Sequence, residues 1–200
     1  MPTSSRRILT FLLALCVAGT THPTAAADAP RKTTHQDFGT VQDEAVWRDY
    51  YKRPLTRLLA CWENPDPKHA SQREAVRRAI ADSWQRHSAL VFEGWDACAN
   101  HPKADIRIAV ADENPHTRGL GSKLRNVPRG MVLNFDFAIW GEPCARPNLY
   151  ELCLKAIAVH EFGHALGLQH SFASGAMATE ITRGTTKIRP ITPDDAAGIS

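Results

Sequence analysis

The sequence has no run of like charge and very little net charge: 24 Lys and Arg against 21 Asp and Glu leave a formal +3 over 200 residues. Binding nucleic acid through its phosphates, or lying on an anionic membrane, needs a basic patch that this composition does not supply. Nucleic acid is therefore not an expected partner. No CxxC spacing occurs among the 5 cysteines, which argues against a four-cysteine zinc site. There are no internal repeats and no long low-complexity tracts. The longest apolar run, Ile8 to Gly19, falls short of the ~20 residues that span a bilayer. What is present is a globular composition, 43% hydrophobic and 22% charged, with enough chain for one domain and a proper core.

The N-terminus reads as a targeting segment. Arg6 and Arg7 form a positive start, Ile8 to Gly19 the apolar centre, and Ala25 to Ala27 a small-residue cleavage site. Residues 1–27 are thus expected to be a signal peptide, with export to the periplasm or beyond and no stable membrane association after cleavage. An uncleaved anchor is disfavoured by the length of the run. A lipoprotein reading of Cys16 is disfavoured by the bulk of Leu15 before it. Removing Cys16 leaves Cys61, Cys98, Cys144 and Cys153. An even count in an exported chain points to two disulfides. Three connectivities are open. Pairing of sequence neighbours, Cys61–Cys98 and Cys144–Cys153, is favoured.

Residues 28–62 read as a leader, a short pro-segment or an N-terminal helix of the domain, helical over Val41 to Trp62 and ended or kinked at Pro54. Residues 63–200 read as the domain. Ser71 and Glu74 have capping-box spacing, and Val76, Ala79, Ile80, Ser83 and Trp84 then share one helical face. Ile106, Ile108 and Val110 alternate as a half-buried strand should. His116 to Gly130 is a glycine- and charge-rich loop, and "MVLNFDF" is a further strand with Leu133, Phe135 and Phe137 on one side. Asn148 and Glu151 repeat the capping-box spacing at the start of a second long helix, which ends near Gly167. Thr192 and Pro193 begin a short final helix. This order predicts an α+β domain.

One stretch carries chemistry: "AVHEFGHALGLQHS", Ala158 to Ser171. His160 and His164, four apart on a helix, present both rings on one face within reach of a single metal ion. Glu161 lies on the adjoining part of that face, placed to hold a water at an open metal position and take its proton. Three protein ligands and a water make the usual catalytic zinc site. His170 is the natural third ligand, but a continuous helix would carry it away from the other two. Gly167 removes that obstacle, since it can adopt positive φ, end the helix and turn the chain back. The five matched positions arise by chance in on the order of one chain in ten thousand.

"HEFGHALGLQHS" resembles the extended zinc signature of the metzincin metallopeptidases, and Ser171 after the third histidine resembles the matrixin branch in particular. The likeness extends diffusely from Ser71 to Ile199 through "ITPDDAAGI" and the upstream strands. It implies a metzincin fold, with a mixed twisted sheet, an active-site helix and a short C-terminal helix. It further implies one catalytic Zn²⁺ on His160, His164 and His170, Glu161 as general base, and Met177 packed in a turn beneath the metal. A peptide substrate would lie extended along an edge strand, assigned to Arg129 to Phe135.

The implied activity is an exported, monomeric zinc endopeptidase acting on proteins or peptides. The alternatives are a secreted zinc-binding module without activity, or a metallo-amidase or peptidase acting on cell-wall peptides. The chain also departs from the family. "ATEI" after Met177 lacks the expected proline and tyrosine, so specificity does not carry over. No cysteine-switch motif is recognisable. Asp112, Glu113 and His116 lack the spacing of the family's calcium or second-zinc loops and read as a solvated loop.

Overall fold

A computed structural model describes Trp47 and residues 56–137, 142–171, 175–178 and 189–199. The expected signal peptide, most of the leader and the "TEI" part of "ATEI" lie outside these residues. The sheet has five strands: β1 (Arg57–Trp62), β2 (Val91–Ala97), β3 (Ile106–Val110), β4 (His116–Thr117) and β5 (Met131–Leu133), in the order β2-β1-β3-β5-β4. The first four in that order run parallel, and β4 pairs antiparallel with β5 as an edge strand. The helices are α1 (Ala70–Asp82), α2 (Glu142–Ala145), α3 (Pro147–Ala165) and α4 (Pro193–Ala197). This is an α+β fold with a mixed sheet.

Two elements correct the sequence reading. Arg57–Trp62 is not helical leader but a strand between β2 and β3. A strand inside a parallel sheet is covered on both faces and reads as a continuous apolar run, here Leu58 to Trp62, which periodicity cannot tell from a buried helix. The strand read over Arg129 to Phe135 is paired on both sides over Met131–Leu133, with β3 and with β4. It is therefore not an edge strand; among the described residues the edge strand on this side of the sheet is β4, and β2 forms the other edge.

Both capping boxes are also replaced. α1 starts at Ala70, so Ser71 already lies inside it, and its hydroxyl donates to Gln72 Oε1. Asp66 instead caps the preceding short 3-10 turn, accepting from the Lys68 amide. α3 starts on Pro147, which has no N–H to satisfy, and Glu151 pairs with Lys155 one turn on.

α1 and α3 pack on one another and share a single apolar core with the sheet. Val76, Ala79, Ile80 and Trp84 are buried as their spacing predicts. Trp84 Nε1 donates to the Val159 carbonyl at 2.7 Å, locking α1's end to α3. Phe162 faces the sheet, stacked on Trp95 (centroids 5.6 Å apart) and edge-on to Phe92 (5.3 Å). The two disulfides are Cys61–Cys98, joining the end of β1 to the turn after β2, and Cys144–Cys153, joining α2 to α3. Among the described residues no helix is long and apolar enough to cross a membrane.

Candidate metal centre

α3 carries His160, Glu161 and His164 in its last two turns. The helix ends at Ala165, and Gly167 follows with φ 99°, the left-handed conformation that the reversal requires. The reversal brings His170 Nε2 to 3.1 Å from His160 Nε2 and 3.2 Å from His164 Nε2. The three residues form a group that could hold a metal ion.

The donor set fits zinc. His160 Nδ1 lies 2.8 Å from the Ala176 carbonyl, and His164 Nδ1 lies 2.8 Å from the Leu168 carbonyl. A carbonyl only accepts, so both rings carry their proton on Nδ1 and turn a bare Nε2 lone pair inward. Lone pairs facing each other repel unless a cation lies between them. Tetrahedral ligands at the usual Zn–N length of about 2.0–2.1 Å sit roughly 3.3 Å apart, near the separations found here. Burial, helped by the nearby His170 and Arg189 and opposed by the bond to Ala176, holds His160 down at about 4, so its ring is neutral and free to ligate.

Glu161 is 6% exposed. Burial pushes its carboxyl up to about 7, partly offset by a hydrogen bond from Thr117 on β4. Thr117 Oγ1 donates to Glu161 Oε2 at 2.7 Å and lies 3.2 Å from the Glu161 carbonyl. The carboxyl thus lies between α3 and the edge strand.

The chain after His170 is tied back to the helix. The Ser171 amide donates to the Met177 carbonyl at 2.7 Å, and Ser171 bridges to Ala178. Met177 is fully buried and packs against α3 at Gly163. A Cβ at Gly163 would overlap Met177 Sδ and stand 2.9 Å from Trp84 Cζ2. Asp195 of α4, 1% exposed, accepts from the amides of Ala176 and Met177 and from the Thr192 hydroxyl. Thr192 Oγ1 in turn accepts from the Asp195 amide, so the predicted start of the last helix is a reciprocal cap.

Trp47 Nε1 donates to the Ala165 carbonyl at 2.7 Å, and Arg125 lies over its ring. Thr117, Gly163, Asp195 and Trp47 were not singled out from sequence. Only Gly163 carried a signal, as a glycine in a helix interior, where it is unfavourable unless something must come close. Asp112, Glu113 and His116 do not converge: Asp112 accepts from Asn134, Glu113 pairs with Arg129, and His116 contacts the Asn114 carbonyl.

Residues 134–200 match the family model of the Matrixin peptidases. Human "Matrix metalloproteinase-19" is 32% identical over 161 residues, 76% of this chain and 29% of that protein. "Metalloendoproteinase 1" of Glycine max is 28% identical over 181 residues, 84% of this chain and 57% of that protein. The chain thus spans from under a third to somewhat over half of the length of these relatives. The crystal structure of archaemetzincin from Methanopyrus kandleri superposes with TM-score 0.48 at 13% identity, covering 70% of this chain and 92% of that one.

Proposed function

Since the chain carries a matrixin-like metzincin domain, we propose that it is an exported zinc-dependent endopeptidase that hydrolyses peptide bonds. The observation that carries this reading is the convergence of three Nε2 atoms, two of them from the helix that also carries the buried carboxyl of Glu161. His160, His164 and His170 would hold the ion. Zinc, when bound there, supplies Lewis acidity and lowers the pKa of water. Glu161 takes a proton from the attacking water at a carboxylate oxygen and returns it to the leaving amine. Burial favours this exchange, because it raises the carboxyl's affinity for a proton toward neutral pH. The peptide lies along β4, the open edge beside Glu161, pairing its backbone as an added strand. Met177 and Ser171 hold the turn that supports the histidines.

A site that only stores or displays zinc has no use for a buried carboxyl, and such sites usually have four protein ligands. Glu161 therefore favours catalysis over a non-catalytic module. Incubating the zinc-loaded protein with a complex peptide library, with and without a strong chelator, and mapping new termini by mass spectrometry tests the activity and defines the substrate together. Glu161→Ala is expected to bind zinc stoichiometrically while losing at least about 100-fold in kcat, the lower range for a general base. Chelator-insensitive cleavage, or full activity in Glu161→Ala, overturns the mechanism. Cleavage confined to cell-wall peptides would redirect the substrate class and leave the chemistry intact.

A further inference from the structure

We propose that Thr117 is a positioning residue for the base: its hydroxyl, reaching across from the edge strand, holds one oxygen of Glu161 so that the other faces the water. The proposal deepens, and rests on, the reading of Glu161 as general base.

The hydroxyl has one hydrogen and two oxygens of Glu161 within reach, Oε2 at 2.7 Å and the backbone carbonyl at 3.2 Å. The shorter contact takes the hydrogen. A glutamate side chain has three rotatable bonds, and a carboxylate that swings presents the wrong oxygen for much of the time. Fixing Oε2 removes that freedom before substrate arrives. Thr117 is suited to the task because its β-branched side chain has restricted χ1 freedom. Its backbone is held as well: β4 pairs Thr117 with Met131 and His116 with Val132, and the Arg118 amide continues the ladder to the Gly130 carbonyl at 2.8 Å. The hydroxyl is thereby anchored through β5 to the interior of the sheet, while the base is anchored through α3.

β4 is the edge along which the substrate is expected to lie, so one residue touches both the base and the substrate's track. A hydrophobic residue at 117 would leave the strand pairing intact and release the carboxylate. That separates positioning from binding.

The test compares zinc-loaded wild type with Thr117→Val, which exchanges the hydroxyl for a methyl of similar size, and Thr117→Ser, which keeps the hydroxyl. Thr117→Ala takes the place of valine if that variant fails to fold. Thr117→Val is expected to lose roughly 10- to 100-fold in kcat, the range seen when a supporting hydrogen bond to a metal-site residue is removed. KM is expected within twofold and zinc content unchanged. Thr117→Ser is expected to recover most of kcat. Crystal structures of the zinc-loaded proteins should show the Glu161 carboxylate displaced or split between rotamers in Thr117→Val alone. Unchanged kcat in Thr117→Val, or a serine variant as impaired as valine, overturns the proposal. If the wild type cleaves no peptide, the functional reading fails separately. The crystallographic comparison then decides positioning, and an unmoved carboxylate overturns it.

Discussion

Gly163 offers the sharpest test of how the centre is built. A methyl group there overlaps Met177 Sδ and comes within 2.9 Å of Trp84 Cζ2 and 3.1 Å of Met177 Cε. Trp84 cannot retreat cheaply, because its ring is fully buried and its Nε1 is bonded to Val159. Met177 must therefore move. Overpacking of a filled core costs about 1–3 kcal/mol, and an outright overlap belongs at the upper end. Alanine returns about 1 kcal/mol through its better helix propensity. Gly163→Ala is thus expected to destabilise the protein by ~2 kcal/mol.

The decisive measurement is the same substitution in a Met177→Ala background. Met177→Ala alone opens a cavity and costs roughly 2–5 kcal/mol. With the sulfur gone only the 2.9 Å contact with Trp84 Cζ2 is left, and the better helix propensity of alanine roughly offsets it, so adding Gly163→Ala should be close to neutral. The two changes are then coupled by about 2 kcal/mol, well above the ~0.5 kcal/mol scatter of independent sites. Urea denaturation of the four proteins gives each stability from the midpoint and slope. Additive costs would refute the idea that Gly163 exists to seat Met177.

Two further outcomes are expected. Trp47→Phe keeps an aromatic ring but removes the donor to the Ala165 carbonyl at the helix end; urea denaturation should show a loss of about 1–3 kcal/mol with unchanged slope, and an unchanged midpoint would mean that water replaces the bond freely. Replacing Cys61 and Cys98 together by alanine opens a loop with a sequence separation of 37 and should cost ~4 kcal/mol by the chain-entropy relation, whereas a loss under ~1 kcal/mol would show that the sheet already constrains those ends.

The convergence of the three histidines was legible because its grammar is local. His160 and His164 are related by helical spacing, and Gly167 announces the reversal that brings in His170. The same is true of α1's buried face and of the Thr192 cap. What escaped was either two-sided or non-local. β1 has no period to detect, because both of its faces are covered. Thr117 lies in a two-residue strand within a polar, glycine-rich stretch, and its importance comes from Glu161, 44 residues on. Trp47 and Ala165 are 118 residues apart. The capping boxes at Ser71 and Asn148 had the right spacing, but a proline and an upstream 3-10 turn had already set where those helices begin.

The central position of β1 limits how much of the upstream chain the sheet could do without. A strand flanked on both sides by parallel neighbours cannot be shed without exposing two rows of backbone donors and acceptors to pairing with other chains. Trimming of the upstream segment therefore has a downstream limit before Arg57. A cut that also removed Trp47 would take away a partner of the helix that carries the histidines. A cut between Trp47 and Arg57 would leave β1 whole and remove the hydrogen bond to the Ala165 carbonyl.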